Sequence, residues 1–303
     1  MAFLEAHGIS KSFESSSAGV FGRRAQRVRH VLENVSLSVE RGEFVSIVGF
    51  MGCGKSTLMN ILSGVLSADR GEIRIDGADV RGVSTRASIV FQNYSLLPWF
   101  SALENVRLAV RAAQPAWPRA RQRDQAERYL RLVGLGNALH RRPGQLSGGM
   151  RQRVAIARAF ATGPEVLFLD EPFGALDALT RANLQQELAE LCSVADRPVT
   201  TVMISNNLDE ALLLSDRIIP MTKGPRATLG SPVAVELARP RTAQQLIHDE
   251  RAARAKAHVV ECLTEHLHTS KRRAGAPAAV PAFSSSHVFG AVAPTLRSDS
   301  PDA

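Results

Sequence analysis

Apolar positions along the chain fall into short runs broken by polar turns, and the runs differ in period. Phe3, Leu4, Ile9 and Phe13 are spread through residues 3–13 and predict a first strand. Val31, Val35, Leu37 and Val39 alternate with polar residues, the pattern of a half-buried strand. Residues 43–48 and 199–205 predict buried strands, and 165–170 is continuously apolar and ends in an acid, as expected of a parallel sheet covered on both faces. Residues 72–77 alternate and end in Asp76-Gly77, a hairpin signal, and residues 86–92 predict one more short buried strand. Helical spacing takes over in the charged, Ala- and Leu-rich block 102–142, where Ala126, Tyr129, Leu130 and Val133 share a face. Ser147 is placed to cap a helix over 148–161, and Leu184, Leu188 and Leu191 mark another. Alternating strands and helices predict an α/β fold built on a parallel sheet with right-handed crossovers. The N-terminal strands and the helical block read as additions to that core. The polar, basic stretch 15–30 predicts a loop, and 241–268 predicts helix. Residues 274–296 contain no Asp, Glu, Lys or Arg and no regular apolar face, the composition of a disordered tail.

The stretch Gly49-Phe50-Met51-Gly52-Cys53-Gly54-Lys55-Ser56 lies between a buried strand and a helix that begins near Thr57. It fits the phosphate-loop pattern G-x-x-x-x-G-K-[ST], whose context must be strand, loop, helix. Glycines let the backbone wrap an anion, and successive N–H groups at the helix N-terminus point at phosphate oxygens. In such a loop Lys55 reaches the β- and γ-phosphates and Ser56 presents a hydroxyl to Mg²⁺.

Four further segments narrow the assignment. Leu146-Ser147-Gly148-Gly149-Met150-Arg151-Gln152 resembles the signature motif of ABC-type ATPases. Val166-Leu167-Phe168-Leu169-Asp170-Glu171-Pro172 resembles their Walker B strand with its general base. Gln92 sits after a strand like their Q-loop glutamine, and Ala175-Leu176-Asp177 resembles their D-loop. The order and spacing match from about residue 3 to about residue 240. The resemblance implies a P-loop ABC-type nucleotide-binding domain: a parallel-sheet core, an N-terminal antiparallel β subdomain and an α-helical signature subdomain. It sets that domain over 1–240, with the helical part about 93–161, a helical extension over 241–273 and a tail over 274–303.

The same resemblance implies ATP and Mg²⁺ as cofactors. Nucleotide contacts fall on Phe13, which matches an adenine-stacking aromatic, and on Gly49, Gly52, Cys53, Gly54, Lys55, Ser56, Thr57 and Gln92. Asp177 also falls among the nucleotide contacts, and Ser147, Gly148 and Gly149 would engage the nucleotide held by a second ABC ATPase protomer, identical or not. Ser56, Gln92 and Asp170 fall on the metal. Lys55, Glu171 and Asn206 carry the chemistry. The family usually has His where this chain has Asn206; Asn donates a hydrogen bond but carries no proton. Asn here is similar to members of the nitrate branch.

Phe91-Gln92-Asn93-Tyr94-Ser95-Leu96-Leu97-Pro98-Trp99 resembles importer ATPases for nitrate, cyanate, taurine and aliphatic sulfonates, and Arg217 to Pro225 resembles the nitrate/nitrite branch. This implies an ATPase subunit at the cytoplasmic face of a bacterial inner membrane. Integral permease subunits would dock near Gln92–Phe100, and a periplasmic solute-binding protein would act indirectly. A sulfonate, taurine or cyanate importer is the alternative.

Composition alters this picture little. Of 303 residues 45% are hydrophobic, and no apolar run is long enough to span a bilayer. Met1–His7 includes an early Glu and no leader-like apolar core, so a cytosolic chain is expected. Cys53, Cys192 and Cys262 form no disulfide framework and no metal spacing. The net charge of +8 is scattered, without the aromatic interleaving of a base-stacking surface, so no nucleic acid is expected. Solvated basic faces or attraction to anionic headgroups explain it. Two other classes stay open. One is a soluble ABC ATPase acting on DNA or ribosomes, opposed by the single nucleotide-binding domain and the Leu97-Pro98-Trp99 segment. The other is a weakly hydrolysing regulatory subunit, motivated by Asn206.

Overall fold

The computed structural model describes residues 2–17, 25–174, 176–194 and 199–274. Strands β1 (Ala2–Ser17) and β2 (Ala25–Glu40) pair antiparallel. Their apolar ends pair with Leu4 opposite Val39 and Ala6 opposite Leu37, and register shifts follow between Ala6 and Ser12. The ladder then runs on through polar residues, with Ser12 opposite His30 and Phe13 opposite Arg29. The expected loop over 15–30 is therefore wrong at both ends, since β1 continues to Ser17 and β2 starts at Ala25. Backbone hydrogen bonds need no apolar face once a neighbouring register is fixed. Ser12 and His30 add a side-chain bond at 3.1 Å.

Next come β3 (Phe44–Gly49), buried along almost its whole length, and helix α1 (Lys55–Leu62). Strands β4 (Arg70–Ile75) and β5 (Ala78–Asp79) are joined by Asp76 and Gly77, both at positive φ, the turn that the Asp-Gly pair predicts. They complete a four-stranded sheet of order β2-β1-β4-β5. After β6 (Ala87–Val90) the chain builds a helical layer from α2 (Ala102–Ala113), α3 (Arg119–Leu132) and α4 (Gly148–Ala161). Ser101 and Glu104 close a reciprocal capping box on α2.

The remaining core alternates as β7 (Val166–Asp170), α5 (Ala178–Val194), β8 (Thr200–Ser205), α6 (Leu208–Leu214), β9 (Arg217–Met221) and β10 (Val233–Ala234). The second sheet has the order β10-β9-β3-β8-β7-β6 and is parallel except for β10. Strands β3, β8 and β7 are consecutive neighbours, so Gly49, Ser205 and Asp170 end in a row along one sheet edge. β9 holds Pro220 in mid-strand. Its carbonyl accepts from Gly230 N at 2.7 Å, on the side away from β3, so the missing N–H removes no bond to β3.

One apolar cluster lies between the helical layer and the parallel sheet, and a second lies between the two sheets. A third is roofed by the C-terminal helices α7 (Ala243–His248) and α8 (Glu250–Ala274). There Val259 of α8 is fully buried with Val48, Ala211, Ile218 and Val233. The tail expected over 274–303 lies beyond Ala274, outside the described residues. Among the described residues no helix is long and apolar enough to cross a membrane.

Because α8 is docked on the core, Val259→Asp buries an unpaired carboxylate and is expected to cost about 3 kcal/mol or more. Urea unfolding measures this. A free energy equal to that of the parent would show that α8 does not pack on the sheet.

Candidate functional site

The loop after β3 is shaped by close contacts as much as by its own flexibility. A Cβ at Gly54, whose φ is +114°, would stand 2.9 Å from Val31 Cγ1 of β2, so a side chain is barred by backbone angle and by space. Cys53 is buried and burial raises the pKa of its thiol, which fits a wall of the loop and not a nucleophile. The first turn of α1 contains no acid of its own, and Asp170 of β7 lies against it through Ser56. Ser56 is exposed at this end and Thr57 is half-buried.

Lys55 folds back across its own loop and is only 5% exposed. Its Nζ donates to Gly49 O at 2.9 Å, to Phe50 O at 3.1 Å and to Asn206 Oδ1 at 2.6 Å. A buried ammonium requires such a set of acceptors. Asn206, just past the end of β8, accepts from Lys55 with its oxygen and donates with Nδ2 to Glu171 Oε1. One amide thus bridges a cation and a carboxylate. Glu171 sits just beyond β7 at φ +45°, and its N–H donates to Ile204 O at 3.0 Å. That strained backbone is held by the neighbouring strand. Gln92 Nε2 donates to Glu171 Oε2 at 3.4 Å, and Ser56 Oγ donates to Asp170 Oδ1 at 3.2 Å. Burial raises the pKa of the Asp170 carboxyl, with Glu171 nearby adding to the rise, while Ser56 and Lys55 oppose it.

Seven of the expected residues therefore converge: Gly49, Lys55, Ser56, Gln92, Asp170, Glu171 and Asn206. Gly52, Cys53, Gly54 and Thr57 belong to the same loop and helix start. The others stand apart. Ser147 is exposed and its Oγ accepts from Met150 N at 3.2 Å, capping α4. Among the described residues no hydrogen bond joins Ser147, Gly148 or Gly149 to Lys55, Asp170 or Glu171. Gly149 packs so closely on α5 that a Cβ there would fall 2.4 Å from Thr180 Cγ2. Asp177 caps α5 through Thr180 N at 2.9 Å, and that bond holds its carboxyl below the usual range. Phe13 is 41% exposed, with Lys11 Nζ 5.6 Å from its ring centre, which is a surface aromatic and not a core residue.

The segment after Gln92 is locally built. Asn105 of α2 ties it by accepting from Leu97 N and donating to the carbonyls of Leu97 and Phe100. Trp99 is left 62% exposed. The sequence reading missed Arg158 of α4, which donates to the carbonyls of Tyr94 and Ser95, two consecutive residues at positive φ. The available signal was an arginine among the buried residues Ile156, Ala157, Ala159 and Phe160.

Comparison with known proteins agrees with this geometry. The ABC transporter family model matches residues 32–174. The nitrate import ATP-binding protein NrtD of Synechococcus elongatus is 48% identical over 232 residues, 77% of this chain and 84% of that protein. The nitrate transport protein NasD of Klebsiella oxytoca is 41% identical over 263 residues, covering 86% and 96%. The bicarbonate transport ATP-binding protein CmpD of Synechocystis sp. is 44% identical over 248 residues, covering 82% and 84%. Among solved structures, the ATP-binding cassette MJ0796, a dimer in a post-hydrolysis state bound to ADP and Pi, matches with a TM-score of 0.66. It is 29% identical and is matched over 78% of this chain and 100% of its own.

A carboxyl whose pKa is raised on folding gives up stability when it ionises: its contribution is fully present below the unfolded pKa and is lost as pH rises through the folded one. Asp170→Asn is therefore expected to raise the nucleotide-free melting temperature at pH 7.5. The gain should shrink towards zero as the pH is lowered to about 4, near the ordinary Asp pKa. Paired thermal melts of both proteins check this, and an equal offset at both pH values would contradict it.

Proposed function

The chain belongs to the ATP-binding proteins of ABC transporters, and from that membership we propose that it hydrolyses ATP at the Lys55–Asn206–Glu171 centre to drive a membrane importer of nitrate or a related small anion. The observation that carries this reading is the single Asn206 amide joining the phosphate-loop lysine to the carboxylate beyond β7. Lys55 binds the β- and γ-phosphates, exchanging acceptors it holds now for phosphate oxygens. Glu171 accepts a proton from the attacking water as the bond from the γ-phosphorus to the bridging oxygen breaks. Asn206 keeps Glu171 aligned and donates towards the γ-phosphate side. Loop N–H groups and the N-terminus of α1 stabilise charge on the transferred group.

The donor set fits Mg²⁺. Ser56 Oγ and Asp170 Oδ1 are hard oxygens 3.2 Å apart, with the Gln92 amide close by. Among the described residues no group of three or more His, Cys, Asp or Glu is placed to hold a metal ion. Ser56 and Asp170 would hold the ion, and when bound it offsets the phosphate charge. Phe13, exposed on β1, is offered to adenine.

Ser147 is exposed at the N-terminus of α4 and Asp177 at the start of α5, positions open to nucleotide bound by a second protomer. The dimeric state of MJ0796 supports the same arrangement. Trp99, with Pro98 and part of Leu97, is an exposed apolar patch suited to a permease helix. The chain then sits peripherally on the cytoplasmic face of the inner membrane, with a periplasmic binding protein supplying solute. Bicarbonate is the second reading for the solute, favoured by the 44% identity to CmpD.

Glu171→Gln is expected to keep nucleotide affinity and to lower turnover about 10²-fold or more, since the amide keeps the shape and loses the base. Asn206→Ala should slow turnover and Asn206→His should raise it. In the host, deleting the gene should abolish uptake of labelled nitrate, restored by the parent chain and not by Lys55→Ala. Unchanged nitrate uptake with lost bicarbonate uptake would select the second reading, and full turnover by Glu171→Gln would remove the assigned base.

A further inference from the structure

Behind the reaction centre lies a second polar chain that the reading above does not use. Arg181 stands in the first turns of α5 and donates from Nη2 to Leu176 O at 3.0 Å, in the turn that precedes that helix. Its Nε is buried and has no hydrogen-bond partner. That nitrogen faces Glu210 Oε1 of α6 across 3.8 Å, inside ion-pair range and short of a hydrogen bond. Glu210 is 6% exposed, and its other oxygen accepts from Ser205 Oγ at 2.7 Å. Ser205 Oγ in turn accepts from Asn207 N at 3.0 Å. Ser205 and Asn207 are the residues on either side of Asn206, whose amide holds Glu171. A cavity of about 270 Å³ opens between these groups, lined by Glu171, Gly174, Arg181, Asn206 and Glu210 among others. The arrangement has a gap that one short shift would close, and the space in which to make it.

We propose that Arg181 and Glu210 form a positioning pair for ATP hydrolysis, through which the Leu176–Asp177 turn sets where Asn206 holds Glu171. The proposal rests on Glu171 being the base. The physics is that of a buried carboxylate with one cation in reach. Arg181 is part-exposed while Glu210 is buried, so the attraction is partly screened but steep with distance, and a hydrogen bond to a charged partner is worth roughly twice a neutral one. When the turn moves, Arg181 moves with it through the Leu176 bond. Glu210 follows the cation, and α6 carries Ser205 to Asn207 with it. Asp177 and Leu179, the latter 73% exposed, place this turn on the surface, where a second protomer can press on it.

The test uses the full chain with single and double substitutions, each checked by its melting temperature. Arg181→Gln and Glu210→Gln are each expected to lower kcat about tenfold while KM for ATP stays within about twofold. The double variant should be no slower than the slower single, since both break one link. Arg181→Lys, which keeps a cation facing Glu210, should recover part of the loss. A fall in melting temperature with kcat unchanged, or losses that multiply in the double variant, would overturn the proposal. Hydrogen exchange decides the matter independently of turnover. Adding ATPγS with Mg²⁺ should protect both Leu176–Thr180 and Ser205–Glu210 in the parent chain, and only one of these segments in Glu210→Gln. Protection of both segments in Glu210→Gln would overturn the pair even if the parent chain proved not to hydrolyse ATP, a result that would instead refute the assigned function.

Discussion

The ammonium of Lys55 is the constraint from which the reaction centre follows. It is taken almost wholly out of water, and an unpaired buried cation is too costly to persist. Gly49 and Phe50 supply two carbonyls from the strand end and the loop, and Asn206 supplies the third acceptor from β8. That requirement is met because β3 and β8 are neighbours in the sheet and end level with one another. β7 on the other side of β8 then brings Asp170 and Glu171 alongside. A different strand order would leave the lysine its own loop and no link to the carboxylates. The proposed phosphate-binding lysine and the proposed base are thereby linked by strand order.

Asn206 gives that coupling its particular character. A carboxamide has one accepting and one donating end, so orienting its oxygen to Lys55 commits its nitrogen to Glu171. The link has the same polarity at every physiological pH, whereas an imidazole in this place would change charge near neutrality. Glu171 is held from two directions, by Asn206 on one oxygen and by Gln92 on the other. Gln92 begins the segment that ends at the exposed Trp99, and Arg158 of the signature helix grips its carbonyls in between. The proposed permease contact at Trp99 would therefore lie on the segment bonded to Glu171 through Gln92 and to α4 through Arg158.

What could be read from the sequence is what local chemistry fixes. The glycine spacing at 49–54 and Lys55-Ser56 announce a turn between a buried strand and a helix, as found. The unbroken apolar run 166–169 before Asp170 announces a buried parallel strand, and Asp76-Gly77 announces its turn. Features that depend on neighbours were not readable. β9 carries Pro220, which argues against a strand unless one knows that its missing N–H faces the edge side of the sheet. The ladder of β1 and β2 extends past Phe13 through backbone pairing after several register shifts, with no alternation to show it. Arg181 and Glu210 lie on different helices, and neither periodicity nor spacing pairs them.

The two-chain site is tested most directly by mixing Lys55→Ala chains with Ser147→Arg chains and measuring ATP turnover. If Ser147 serves the nucleotide of the other protomer, each variant alone is inactive. A mixed dimer then joins the intact phosphate loop of one chain to the intact signature of the other, and turnover returns on mixing. If Ser147 serves its own chain or none, mixing restores nothing, and that result, or full turnover by Ser147→Arg alone, contradicts a site shared between two protomers.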